Sequence, residues 1–210
     1  MQKTLAKTEK RIPDGYLIDM HIHTNFSPDC YISIEKTLNE LVGKVNALTI
    51  TDHDNISTYT KQNLEAFEIK YQIKVLIKSV ELSTQQGDIL AYGISAIPSG
   101  CLEPEEVIDL IHREGGIAVA AHPFDILGVG ELVYELNFDA IEINGLRSKM
   151  LNQQAKEAAE ILGLPCIGGS DSHGIHSIGT CATEFEKPIN TMGDIIEQVK
   201  KGKCKPVFLL

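Results

Sequence analysis

Short apolar runs separated by amphipathic stretches organise this chain. Residues 16–23, 47–53, 74–82, 88–94, 117–122, 140–144, 165–171 and 206–210 are runs rich in Val, Ile, Leu and Ala. Runs of that length and make-up predict strands. Between them, 33–42, 58–69, 104–113, 149–162 and 191–200 carry apolar residues at helical spacing, as a helix covering a sheet requires. Ser33 reads as an N-cap and Pro104 as a first helical residue, while Gly115-Gly116, Gly163 and Gly202 read as stops. Strands alternating with helices predict an α/β domain with a mainly parallel sheet, open or closed into a barrel.

The polar residues that end the strands separate those two topologies. His21 and His23 stand two apart at the end of the first run, so a strand points both imidazoles the same way. His53, His122 and His173 each close a later run. Five of seven histidines therefore sit at strand ends, and imidazoles gathered there need partners to offset their desolvation. Carboxylates recur in the same places. Asp52 and Asp54 flank His53, Glu81 closes the 75–80 run, and Asp171 precedes His173 by two. Ligands drawn from many strands suit a barrel whose site lies at the C-terminal ends of its strands. An open doubly wound sheet would instead carry a glycine-rich loop after its first strand, and none stands there.

Imidazole mixed with carboxylate favours Zn, Mn or Fe over an all-oxygen Mg or Ca site. The candidates exceed what one ion can use, so two or three divalent metal ions are expected, with Glu81 as the natural bridge. Composition adds limits. A chain of 210 residues with 43% apolar and 23% charged residues is expected to form one globular domain over 1–210. Its core would start near residue 16, behind a polar N-terminal extension at 1–13. No apolar run approaches the roughly 20 residues that span a bilayer. A net charge of −10 argues against a broad nucleic-acid groove, though a short strand gripped through metals stays compatible. Five scattered cysteines without a Cys-x-x-Cys pair predict reduced thiols and a cytoplasmic location.

Five segments stand in a telling order: His21-Ile22-His23-Thr24, Thr51-Asp52-His53, Glu81-Leu82-Ser83, Ala121-His122-Pro123 and Gly169-Ser170-Asp171-Ser172-His173. Together they resemble the polymerase-and-histidinol-phosphatase (PHP) family, from about residue 17 to about residue 185. The resemblance implies a distorted (β/α)7 TIM-like barrel and a metal-dependent phosphoesterase that uses a metal-bridging hydroxide. It implies that His21, His23, Glu81 and Asp171 hold one metal, and Glu81 with His122 a second. His53 and His173, with Asp29, would hold a third; Asp29 reads equally well as a Pro-Asp turn residue. Asp88 stands where the family often has a histidine, so it is either a ligand to the second metal or a turn residue.

Three further positions are candidates for catalysis. Arg147, beside Asn144 at the end of the 140–144 strand, reads on its own as a surface arginine starting the next helix, and the resemblance implies instead that it clamps phosphate oxygens. Asp52 is expected to orient a histidine rather than bind metal, and Asp54 shares that ambiguity with a helix N-cap role. His176 would contact substrate or protonate the leaving oxygen, or lie exposed on its loop. The expected substrate is a small phosphomonoester, a nucleotide or a short oligonucleotide, with no membrane partner and oligomeric state open. Two other readings keep the same residues: an amidohydrolase-like enzyme, usually bridged by a modified lysine where Glu81 stands here, and a non-catalytic regulatory module.

Overall fold

The computed structural model describes residues 15–56, 59–100 and 102–209. The expected N-terminal extension, residue 58 at the expected start of the second helix, and Cys101 lie outside them. Ten strands and five helices follow in order: β1 (Tyr16–Asp19), α1 (Ile34–Leu41), β2 (Ala47–Thr49), α2 (Lys61–Tyr71), β3 (Lys74–Leu76), β4 (Ser79–Thr84), β5 (Gly87–Tyr92), α3 (Pro104–Arg113), β6 (Ile117–Ala120), β7 (Ala140–Asn144), α4 (Lys149–Leu162), β8 (Cys166–Gly169), β9 (Cys181–Phe185), α5 (Met192–Lys200) and β10 (Cys204–Phe208). The helices start where the side chains can cap them. Ser33, Ser148 and Thr191 each accept a hydrogen bond from a backbone N–H of the first turn.

The strands form two five-stranded sheets, ordered β10-β9-β1-β2-β3 and β4-β5-β6-β7-β8. The triplets β1-β2-β3 and β6-β7-β8 are parallel, whereas β4-β5, β5-β6, β1-β9 and β9-β10 pair antiparallel. The expectation of a mainly parallel sheet therefore holds within each half and fails at the β4–β5 hairpin and the C-terminal strands. Among the described residues no continuous ladder closes the two sheets into one barrel. They meet instead at two isolated parallel bridges, Ile22 with Ser172 and His53 with Glu81.

Alternation along the strands sorts the side chains into layers. Ile18, Met20, Leu90, Tyr92, Ile117, Val119 and Ile167 face one another between the sheets. Ile195 and Val199 of α5 pack into that same inner core. Ile89, Ala91, Ala118, Ile141 and Ile143 point outward under α3 and α4, and Leu17, Ile22, Leu38, Leu48 and Leu64 make the layer beneath α1 and α2.

Several expected strands are shorter than their apolar runs, and two of them show why. The 16–23 run ends as a strand at Asp19. Ile18 and Met20 face inward, yet Leu17 and Ile22 both lie in the outer layer, so the alternation slips by one residue after Met20. The 74–82 run splits at Lys78, whose φ of 76° is left-handed, and Ser79 then donates its hydroxyl to the Ile50 carbonyl to start β4. The strand β9 escaped the sequence pattern because Cys181-Ala182-Thr183-Glu184-Phe185 is short and mixed in polarity. Its Thr183 hydroxyl exchanges hydrogen bonds with the backbone of Gly168, at 2.7 and 2.9 Å. A Cβ on Gly168 would collide with the Ala182 carbonyl. Gly168→Ala is therefore expected to cost about 2 kcal/mol in urea unfolding. Gly174→Ala, where nothing lies within 4 Å of the added carbon, is expected to stay within about 0.5 kcal/mol.

Candidate metal centre

Six of the nine candidate ligands follow the end of a strand, whereas Glu81 lies inside β4, Asp88 near the start of β5 and Asp29 in the loop before α1; the two inter-sheet bridges bring them to one rim. The Asp171 N–H donates to the His21 carbonyl at 2.7 Å and the Asp54 N–H donates to the Glu81 carbonyl at 2.9 Å. His122 and Asp171 have φ of 29° and 51°, left-handed values that non-glycine residues hold only when their surroundings compel it. Both turns re-aim a side chain inward immediately after a strand.

The first set is fully buried. Nε2 of His21 and Nε2 of His23 lie 3.0 Å apart, and each lies 3.0 Å from Oε2 of Glu81. Oδ1 of Asp171 completes the set at 3.5 and 3.4 Å. The other oxygen of Glu81, Oε1, faces Nε2 of His122 at 3.0 Å. A second set joins His23, His53, His173 and Asp29. In it Oδ2 of Asp29 lies 3.1 Å from His173 Nε2 and 3.6 Å from His53 Nε2. A third joins His53, Glu81 and Asp88. The nine residues expected to bind metal thus converge: eight fall into these overlapping sets, and His122 abuts their shared carboxylate.

These donors fit divalent cations. Nδ1 of His21 lies 2.8 Å from Oε1 of Glu142 and donates to it, which leaves Nε2 as a bare lone pair aimed at His23 and Glu81. His173 is turned the same way by a 3.1 Å bond to the Asp171 carbonyl. Nδ1 of His53 and of His122 are buried without a hydrogen-bond partner among the described residues. Lone pairs crowded to 3.0 Å repel one another unless a proton or a cation lies between them.

In the metal-free protein protons take that place. Burial pulls the His23 imidazole down, but hydrogen bonds to Asp171 and Glu81 outweigh it and hold the group up at about 9. His21 is raised in the same way by Glu81, Glu142 and Asp171 against its desolvation. Glu81 and Asp171, which burial alone would raise, are driven low by the His21 charge and by histidine hydrogen bonds. Asp88 moves oppositely, to about 7, through burial and the nearby Glu81 charge.

Other expected residues land elsewhere. Asp52 accepts from the Thr24 N–H at 2.6 Å and the Thr24 hydroxyl at 2.8 Å. It therefore fixes the loop after His23, and neither of its oxygens is hydrogen-bonded to a histidine ring among the described residues. Asp54 caps no helix; it accepts from the Ser83 N–H at 2.9 Å and pins β4 beside His53. Arg147 does reach the centre: Nη2 lies 3.1 Å from Oδ2 of Asp171 and Nε pairs with Asp125 at 2.5 Å. His176 is exposed and makes no polar contact with the cluster among the described residues. It is the exposed loop residue of the two readings offered above.

The sequence reading missed Glu142. This fully buried carboxylate takes His21 Nδ1–H on one oxygen, and the His122 N–H at 2.9 Å and Asn144 Nδ2 at 3.1 Å on the other. Its signal was a lone acid inside the apolar strand 140–144. Asp19 is the same kind of residue: buried, raised to about 7 by desolvation, and hydrogen-bonded to the N–H groups of Ser170 and His21.

Two outcomes follow from this geometry. Glutamine at position 142 has one acceptor oxygen for three donors, so Glu142→Gln is expected to weaken Mn²⁺ binding by about tenfold or more in calorimetry, with the circular dichroism unchanged. The pH response should also invert with metal. A raised histidine stabilises the fold below its unfolded pKa and loses that contribution as pH climbs through the folded value. The melting temperature of metal-stripped protein should therefore fall from about pH 6.5 towards about 9. With excess metal it should rise over the same interval, because the histidines shed the protons that compete with the ion.

A family model described as PHP-associated matches residues 149–204. An uncharacterized protein of Methanocaldococcus jannaschii, MJ1587, is 33% identical over 144 residues, which is 60% of this chain and 79% of that protein. A two-domain protein from Bacteroides vulgatus, containing a predicted PHP-like metal-dependent phosphoesterase, superposes with a TM-score of 0.73 at 19% identity, covering 98% of this chain and 69% of that one. The lesion-specific endonuclease EndoQ of Pyrococcus furiosus superposes at 0.64 and 17% identity, covering 91% of this chain and 57% of its own. At such identities the two structures share the fold, and with the relative and the motifs at the rim they give one conclusion: the chain belongs to the polymerase-and-histidinol-phosphatase (PHP) family.

Proposed function

We propose that this protein is a metal-dependent phosphoesterase, with His21, His23, Asp29, His53, Glu81, Asp88, His122, Asp171 and His173 as the ligands of two or three divalent ions. The observation that carries the reading is the placement of Glu81. Its two oxygens face different histidines, Oε2 towards His21 and His23 and Oε1 towards His122, as a carboxylate shared between two ions must. The two sheets read as halves of one distorted barrel whose seams meet at this site.

Zn, Mn or Fe bound there would bring the pKa of a coordinated water near neutrality and offset charge on the phosphoryl oxygens. The chain's own residues supply position. Glu142 keeps His21 in the tautomer that leaves Nε2 free, and Asn144 Nδ2 holds Asp171 Oδ2 at 3.1 Å. Arg147, already on that Asp171 oxygen, presents its guanidinium to the equatorial phosphoryl oxygens. Glu81, and no lysine, occupies the bridging place, which favours phosphoester over amide hydrolysis. The near-complete ligand set argues for an enzyme over a regulatory module. Among the described residues no helix is long and apolar enough to cross a membrane. Cys30, Cys166, Cys181 and Cys204 are free thiols, in keeping with a cytoplasmic setting.

Chelation is expected to abolish hydrolysis of p-nitrophenyl phosphate or its bis ester, and Mn²⁺ or Zn²⁺ to restore it. His21→Ala and Asp171→Ala should each lower both metal content and kcat/KM by about 100-fold or more. Full metal content and rate in either variant would overturn the assignment.

A further inference from the structure

Beside the metal centre runs a groove of about 640 Å³ that the mechanism above leaves unused. His53 and Asp88 form its inner end, the β4–β5 hairpin one wall, and Ile126 and Leu127 the other. Ile126 is 93% and Leu127 54% exposed. Two large apolar side chains standing out in water beside a charged site need a reason.

The loop that carries them is firmly built. The Asp88 N–H donates to the Leu127 carbonyl at 2.9 Å, the Gly130 N–H to the Pro123 carbonyl at 2.7 Å, and the Asp125 N–H to the His122 carbonyl at 2.9 Å. A Cβ on Gly87 would strike the backbone of Gly128, and one on Gly128 would strike the carbonyls of His122 and Pro123. Backbone therefore packs on backbone, and the two side chains are held out rather than left loose. The same loop serves both ends of the site, since Asp125 pairs with Arg147 on the phosphate side.

Charge is divided as sharply as shape. Among the described residues no lysine or arginine lines the groove; His53 and Asp88 at its inner end are candidate metal ligands, and Asp54 is the one other ionisable side chain in it. Among the described residues Arg147 is the one lysine or arginine ion-paired to a metal-ligand candidate. One phosphoryl group at the metals thus finds a cation in Arg147, while a second anion lying along the groove would meet only the Asp54 carboxylate and hydrocarbon.

Resting on the phosphoesterase reading, we infer that the groove seats the organic half of the substrate, and that this half is apolar and carries no negative charge. The substrate class is a phosphomonoester of an uncharged, partly apolar alcohol or phenol, in preference to a polyanionic strand.

The test compares phenyl phosphate with 4-carboxyphenyl phosphate on the Mn²⁺-loaded full chain. It also compares the two matching phosphonates by calorimetric binding, a readout that needs no turnover. The neutral member of each pair is expected to win by about tenfold. Leu127→Lys and, separately, the more exposed Ile126→Lys should erase or reverse that preference. Hydrolysis and binding without charge discrimination, or discrimination untouched by both lysine variants, would overturn the groove assignment and leave the phosphoesterase reading standing. Absence of hydrolysis towards every ester tried, with metal fully bound, would overturn both.

Discussion

Everything at the rim depends on one unfavourable contact, the approach of two imidazole nitrogens and a carboxylate oxygen to 3.0 Å of one another where all three side chains are buried. Such a contact costs free energy unless positive charge sits within it. The fold accepts that cost because each donor is fixed by a covalent or hydrogen-bonded constraint from behind. Glu142 holds His21, Ser27 meets His23 Nδ1 at 2.9 Å, and left-handed turns hold His122 and Asp171. The raised imidazoles and lowered carboxylates are the electrostatic trace of the same crowding.

The support for this contact is spread over both sheets. β1, with the residues just after it, supplies two histidines, β4 the shared carboxylate, β7 the Glu142 brace, and the segments after β6 and β8 the strained turns. Tyr92 reaches across from β5 to hold the Met20 carbonyl at 2.7 Å, directly beneath the point where the alternation of β1 slips. That slip matters for function: it lets one segment fill the inner core with Ile18 and Met20 and still deliver His21 and His23 to the rim. A perfectly alternating strand would send the histidines to the opposite face.

The convergence of the candidate ligands was legible in the sequence because imidazoles and acids closing apolar runs are unusual and their spacing is local. Most of the helices were legible through caps and glycine stops. What stayed hidden depended on contacts distant in the chain. Asp52 was misread because Thr24, its true partner, lies 28 residues away. The antiparallel β4–β5 hairpin was blurred by an apolar run that continues through the break at Lys78. Glu142 was overlooked because a single acid in an apolar strand announces burial without naming what it braces.

The meeting of the two sheets at single bridges beside the histidines has a mechanical consequence. Ile22 with Ser172 and His53 with Glu81 are flanked by the very side chains that would grip ions, so each cation would act as a rivet across a joint. Occupancy and rigidity would then be one variable: the two sheets would lock together with the ions in place and loosen without them.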